Sequence, residues 1–184
     1  MNHMVKNLIL FKAGWVACVF GAANGMAWLG PLAVAAIAAE HLRTATAPKK
    51  EFMLLAIAAG IGVAWESALV NLGYLNYTSG IFSPNVAPYW IVAMWVLFAT
   101  TLNVGMKWLK KHWVIAVIAG GIGGPMAFFA GEKAGAVVFT EENTTLLAIG
   151  IGWAILLPVL VQLSHRLNGH AEATAASPAQ PAEV

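Results

Sequence analysis

Charged side chains are scarce in this sequence, and their scarcity restricts the class of protein. Among 184 residues there are 10 Lys and Arg and 8 Asp and Glu, so charged residues make up 10% of the chain. An ordinary soluble domain carries about 25% charged residues. Because 60% of the residues are hydrophobic, the composition is typical of an integral membrane protein that crosses the bilayer several times.

Other absences exclude particular functions. The net charge of +2 is spread over short basic clusters, so the chain lacks the concentrated basic face that nucleic acid requires. Cys18 is the only cysteine, which excludes an intrachain disulfide and a thiolate metal site. The histidines show no metal-ligand spacing within a helix. We therefore predict no metal, no cofactor and no nucleic-acid partner. An embedded hydrolase is disfavoured because no Ser/His/Asp set is present.

The apolar residues fall into six segments that fit membrane spans, for which about 20 apolar residues suffice. The first two segments are short, but residues 7–42 as a single rod would extend roughly 54 Å, far beyond the thickness of a bilayer. Glycine, asparagine and proline between these two segments favour a hairpin instead. The six predicted spans are residues 7–22, 31–42, 52–72, 89–106, 113–130 and 144–163.

The distribution of basic residues predicts the orientation of these spans. In the six-span arrangement only Lys133 lies on the side opposite to the other basic residues. The positive-inside rule then places both termini in the cytoplasm. We predict an all-α fold with six transmembrane helices in residues 1–167 and a disordered Ala/Pro-rich cytoplasmic tail in residues 168–184. The basic residues on the cytoplasmic side are Lys6, Lys12, Arg43, Lys49, Lys50, Lys107, Lys110, Lys111 and Arg166.

Glu66 is a lone carboxylate within the apolar segment 52–72. A charge at the centre of a transmembrane helix costs on the order of 2.5–3.5 kcal/mol on insertion scales, so such a residue normally faces protein or water. Glu66 lies roughly 22 Å from the inner end of its helix, and Lys12 lies roughly 9 Å from the inner end of the first helix. An ion pair between them is therefore not expected. Glu66 is either part of a ligand site or a structural carboxyl bonded to a backbone carbonyl or to Asn24.

Small residues at every fourth position predict close contact between helices, because lipid-embedded helices associate through small residues. Pro125 follows a glycine-rich run and removes a backbone donor. This position is either a break of the kind that transporters use at binding sites or a simple packing kink. Asn103 is expected to form a hydrogen bond between helices. The small-residue stripes are Ala17, Gly21 and Gly25; Ala56, Gly60, Ala64 and Ala68; Ala59 and Gly62 beside Glu66; and Ala116, Gly120 and Gly124.

Three segments resemble a known family: FKAGWVACVFGAANGMAWLGP at residues 11–31, LFATTLN at 97–103 and GGPMAFFAGEKAGAV at 123–137. The family comprises small bacterial inner-membrane proteins catalogued as a domain of unknown function, and the resemblance spans most of residues 7–165. It implies a multi-span fold and a bacterial inner-membrane location. It also implies an association with lipid-modifying enzymes. It carries no established activity and therefore no functional residue.

Three functions fit these features. The first is a subunit that binds or transports a small molecule or a lipid in a pocket in the outer half of the membrane. The second is an accessory protein or enzyme of lipid modification, with Glu66 as general acid or base. The third is a structural or assembly protein whose stripes bind a partner. The expected partners are membrane lipid and, as an option, other membrane subunits. The predicted pocket residues are Glu66, Trp65, Asn24, Trp28, Trp95 and Pro125.

Overall fold

A computed structural model describes residues 2–170, and within them the protein is a bundle of six α-helices. The predicted all-helical class is confirmed. The helices are α1 (His3–Ala23), α2 (Leu29–Thr44), α3 (Pro48–Asn71), α4 (Tyr89–Leu102), α5 (Trp113–Lys133) and α6 (Glu142–Arg166).

Helix ends follow local signals in the sequence. Asn2 caps α1 by accepting a hydrogen bond from the Met4 amide, and Pro48 opens α3, where a missing amide hydrogen costs nothing. The turns after α1, α3 and α5 contain glycines with φ of 74°, 76° and 87°. Only glycine adopts this left-handed region without strain, so these residues end their helices sharply. The three glycines are Gly25, Gly73 and Gly135.

Four of the described helices are long and apolar enough to cross a membrane: α1, α3, α5 and α6. The other two are shorter, with 16 residues in α2 and 14 in α4. The segment expected to be helical over 89–106 ends at Leu102 and continues as a turn and a 3₁₀ helix, Lys107–Lys111. The structure thus supports four candidate spans. The count of six and the orientation of the termini stay predictions.

Two short strands that the sequence did not reveal connect the loops after α3 and α5. Strand β1 (Leu75–Tyr77) pairs antiparallel with β2 (Val137–Phe139), with Asn76 opposite Val138. Each strand has three residues, too few for an alternating pattern to be recognised, and the pairing joins positions about 60 residues apart. The small sheet closes one end of the bundle, which we call the sheet end.

The opposite end of the bundle, which we call the basic end, holds the starts of α1, α3 and α5 and the ends of α2, α4 and α6. There Lys6 Nζ lies 2.6 Å from Glu40 Oε1, which joins the start of α1 to the end of α2. Residues 168–170, which the sequence assigns to the tail, contact the α2–α3 turn, where the Ala47 amide donates to the Gly169 carbonyl at 3.0 Å. The rest of the predicted tail, residues 171–184, lies outside the described residues.

Helix pairing determines where an internal space can form. Helix α1 packs on α2 and α4, α3 packs on α4, and α5 packs mainly on α6. Helices α1 and α5 are not among the closely packed pairs of the described residues, which leaves space between them.

Candidate functional site

The carboxyl of Glu66 is fully buried and is held by two aromatic donors. The Tyr77 hydroxyl donates to Oε2 at 2.6 Å, and the Trp95 indole nitrogen donates to Oε1 at 2.8 Å. Tyr77 is positioned by β1 and Trp95 by α4, so the small sheet and the helix bundle meet at this carboxyl. An Asn24 partner is not observed, because the Asn24 amide donates to the Phe20 carbonyl of its own helix.

Trp95 is fixed by close packing on both faces. A methyl group on Gly62 of α3 would collide with the Trp95 ring. On the other side the ring stacks on Trp153 of α6, with centroids 4.9 Å apart and planes inclined by 23°. Trp153 in turn meets Phe98 edge-on at 5.3 Å. The indole that binds Glu66 therefore has little rotational freedom.

Small residues let the helices approach each other at these tryptophans. Added methyl groups on Gly120 and Gly124 of α5 would collide with Trp153, and one on Gly152 of α6 would collide with Trp65. The stripe of Gly120 and Gly124 is thus a helix interface, as predicted. On α3 the contact residue is Gly62, whereas Gly60 has nothing within 4 Å of the position a methyl would take.

A cavity of about 490 Å³ lies between α1 and α5 and has Glu66 in its wall. We call it the groove. Apolar and aromatic side chains dominate its lining, with Trp15 on α1, Phe98 on α4 and Met126 on α5. Met126 is 66% exposed, so the groove is open along the side where α1 and α5 do not pack together. It runs from Trp108 near the basic end to Tyr77 at the sheet end.

Lys12 and Trp153 add polar groups to the groove wall besides the Glu66 carboxyl and the Tyr77 hydroxyl. Lys12 lines it, with Nζ 5.8 Å from the centroid of the Trp15 ring. Among the described residues, no ion pair joins Lys12 to Glu66, in line with their different predicted depths along the helices. Trp153 lines the groove, and its indole nitrogen is buried without a hydrogen-bond partner among residues 2–170.

The predicted pocket residues are only partly brought together. Glu66 and Trp95 line the groove, but the other four do not. Trp28 is 57% exposed, and Trp65 packs against Gly152. Pro125 lies inside a continuous α5 and contacts Gly150 of α6, which fits a packing position and not a broken helix. Tyr77 was missed because nothing in the sequence places a loop tyrosine beside a carboxyl of α3.

A second polar cluster lies at the basic end, and no sequence pattern predicts it. His41 Nε2 is 2.8 Å from Glu51 Oε2, and both side chains are buried. The ring of His170 lies 4.6 Å from the ring of His41. Burial lowers the pKa of His170, with a further contribution from the neighbouring His41. The three residues come from α2, α3 and the segment after α6, so no local spacing connects them.

Asn103 connects this cluster to the neighbouring helices, and its predicted interhelical bond is confirmed. Its amide donates to Glu51 Oε1 at 2.6 Å and to the Leu167 carbonyl at 3.1 Å. Its carbonyl oxygen accepts from Lys110 Nζ at 2.5 Å. Burial lowers the pKa of Lys110, while the nearby Glu51 opposes that shift.

Comparison with family models identifies the chain. Residues 4–159 match the model described as protein of unknown function (DUF2878), and the chain belongs to this family. The resemblance found in the sequence is thereby confirmed. No curated protein and no solved structure matches the chain.

Proposed function

We propose that this DUF2878 protein is a bacterial inner-membrane subunit that binds an anionic lipid or a fatty acid in the groove between α1 and α5. The open side of the groove is the observation that supports this proposal most strongly. A soluble ligand is normally bound in an enclosed pocket, whereas a lipid chain can slide sideways from the bilayer into a groove of this form.

The dimensions and lining of the groove suit one acyl chain with a polar head. Ligand pockets usually measure about 300–1,000 Å³ and have apolar walls with a few placed polar groups, and the groove of about 490 Å³ falls within this range. Lys12 and Glu66 are the charged residues in its lining. An anionic head beside Lys12 would place the chain along the aromatic wall toward Glu66.

The membrane arrangement that goes with this function has six spans and cytoplasmic termini. Lys6, Arg43 and Lys110 lie at the basic end, whereas Lys133 ends α5 at the sheet end. The positive-inside rule favours a cytoplasmic basic end. In this arrangement Lys12 lies toward the inner headgroups and Glu66 lies in the outer half of the membrane.

The proposal is tested by the lipids that the gently purified protein retains, identified by mass spectrometry. Gly123 lines the groove and has open space at its Cβ position, so Gly123→Trp should fill the groove without disturbing a helix interface. Gly60→Trp is the matched control, because Gly60 has equal space but does not line the groove. We expect one lipid class enriched over the bulk extract in the wild type and in Gly60→Trp, and several-fold depleted in Gly123→Trp.

Equal lipid profiles in the two tryptophan variants would overturn the binding proposal. The variant Glu66→Gln distinguishes lipid binding from catalysis when it is also expressed in a deletion strain. A deletion strain with an altered lipid profile that Glu66→Gln protein fails to restore, although the variant still retains lipid, would favour the enzymatic alternative. A wild-type phenotype of Glu66→Gln together with a stable copurifying protein, and no enriched lipid, would favour an assembly role.

A further inference from the structure

Against the expectation from the sequence that the chain binds no metal, we propose that His41, Glu51 and His170 form a binding site for a divalent transition-metal ion of the Zn²⁺ class at the basic end of the bundle. One donor atom from each residue lies within 4.8 Å of the donor atoms of the other two. Two imidazoles and one carboxylate are a common ligand set for zinc and for non-haem iron. None of the three residues lines the groove, so the inference is independent of the proposed lipid site.

The geometry is close to that of a metal site. Ligand bonds of about 2.0–2.2 Å in a tetrahedral site place the donor atoms roughly 3.3–3.6 Å apart. His41 Nε2 and Glu51 Oε2 are 2.8 Å apart, so metal binding would separate them by roughly 0.5–0.8 Å, and a movement of roughly 1 Å by the His170 side chain would bring the third ligand into range. The metal would replace the hydrogen bond between His41 and Glu51; His41 would bind through an unprotonated Nε2 and keep one proton on Nδ1, and a second imidazole proton, where the ring carries one, would pass to solvent.

His170 supplies an observation that a simple ion pair between His41 and Glu51 does not explain. Its Nε2 atom is buried and has no hydrogen-bond partner among the described residues. Buried polar atoms are normally paired, so an unpaired imidazole nitrogen on a residue beside the His41–Glu51 pair requires a reason. A bound metal ion would satisfy it.

The surroundings of Glu51 resemble the outer shell of a metal site. Its Oε1 atom accepts hydrogen bonds from the Asn103 amide and from the Gly169 backbone amide, each at 2.6 Å. These bonds orient the carboxylate so that Oε2 contacts His41, whose ring lies beside that of His170. Such outer contacts fix the ligands of known sites and typically change metal affinity by about 10–100-fold when they are lost.

A small cavity of about 30 Å³ adjoins the cluster and is lined by His41 and His170 together with His3, Lys6 and Glu40. A space of this size accommodates about one or two water molecules. It gives the ion a route to the site and leaves room for a water molecule as the fourth ligand. Bound metal would also tie residues 168–170 to the α2–α3 turn, where the Thr46 hydroxyl donates to the Gly169 carbonyl at 2.7 Å.

The test is direct metal binding to the full-length protein in detergent, purified without a polyhistidine tag and stripped with a chelator. We expect one equivalent of Zn²⁺ per chain by titration calorimetry and elemental analysis, and Co²⁺ should give a visible absorption band of low-coordinate cobalt. His170→Ala removes a ligand while leaving the hydrogen bonds of Glu51 intact, and it should weaken binding by at least about tenfold. His165→Ala is the matched control because this neighbouring histidine of α6 is exposed and outside the cluster.

A second variant keeps the test decisive if removal of one side chain disturbs folding. His41→Gln retains an amide that can donate to Glu51 but lacks the metal-binding imidazole, and it should lose both the Zn²⁺ equivalent and the cobalt band. The inference is overturned if the stripped wild-type protein takes up no Zn²⁺. It is also overturned if His170→Ala and His41→Gln bind Zn²⁺ as tightly as the His165→Ala control.

Discussion

At the scale of single residues, the buried carboxyl of Glu66 is stabilised by partners that use both of its oxygens. The Tyr77 hydroxyl and the Trp95 indole donate at 2.6 and 2.8 Å. A buried acceptor that loses its donor cannot form a replacement hydrogen bond with water. Removing one partner therefore costs more free energy than an ordinary hydrogen bond contributes to stability. The stability of the sheet end should therefore depend on Tyr77 more than on other tyrosines.

This dependence can be measured with a variant that lacks only the hydroxyl oxygen of Tyr77. Tyr77→Phe keeps the ring but leaves Glu66 Oε2 without its donor, and it should lower the free energy of unfolding by about 1–3 kcal/mol. Tyr74→Phe is the control, since no hydrogen bond of the Tyr74 side chain is observed in the described part of the chain, and it should change stability little. Thermal unfolding of both variants in the same detergent measures the difference. Equal midpoints for the two variants would contradict the role assigned to Tyr77.

The sequence could identify Glu66 but not the groups that bind it. A single acidic residue within an apolar segment is easily recognised in the sequence, and its burial follows from the free-energy cost of exposing a carboxylate to lipid. Its partners come from a loop and from another helix, and only the tertiary fold brings Tyr77 to Glu66. Asn103 was easier to interpret, because a polar amide near a helix end in an apolar bundle has few alternatives to an interhelical bond.

At the scale of elements, contacts distant in sequence hold the two ends of the bundle together. At the sheet end, β1 and β2 join the loops that follow α3 and α5. At the basic end, Glu51 at the start of α3 binds the chain after α6 through the Gly169 amide. The helices themselves were predictable from apolar runs, but these connections were not, since three-residue strands and single side chains leave no periodic signal.

The strand pairing predicts a specific crosslink. Asn76 and Val138 are directly opposed and both exposed, and opposed residues of antiparallel strands lie about 4.5–5.5 Å apart between Cα atoms, within the range of a disulfide. The double variant Asn76→Cys with Val138→Cys should therefore form an intrachain disulfide under mild oxidation. Protection of both thiols from a maleimide polymer, read as a missing gel shift, measures it.

The control for this crosslink moves one cysteine two residues further along the chain, to the position that follows β2. Asn76→Cys with Thr140→Cys places the two Cα atoms about 7–8 Å apart, beyond easy disulfide geometry. This pair should oxidise much more slowly than the first. Similar oxidation of the two pairs would show that the register of β1 and β2 differs from the observed one. The native Cys18 is fully buried and should stay unreactive in both.

At the scale of the whole molecule, the central question is whether the short helices α2 and α4 cross the membrane. With 14 residues, α4 extends about 21 Å, less than the hydrocarbon core of about 30 Å. A short span can be accommodated by local thinning of the bilayer. The apolar pattern predicted six segments but could not decide which of them span, because an apolar run such as 89–106 does not show that its helix ends at Leu102.

Cysteine labelling in intact cells decides the arrangement, because α4 is the one α-helix between Phe82 and His112, and the 3₁₀ helix that follows it has five residues and is too short to cross. Phe82 is 85% exposed in the loop before α4, and His112 is exposed after it. If α4 spans and the basic end is cytoplasmic, Phe82→Cys should react with a membrane-impermeant maleimide added to intact cells, and His112→Cys only after permeabilisation. Met26→Cys, in the turn between α1 and α2, should behave like Phe82→Cys. Equal labelling of Phe82→Cys and His112→Cys would mean that α4 does not cross, and the α4 side chains that line the groove would then not lie within a membrane-spanning helix.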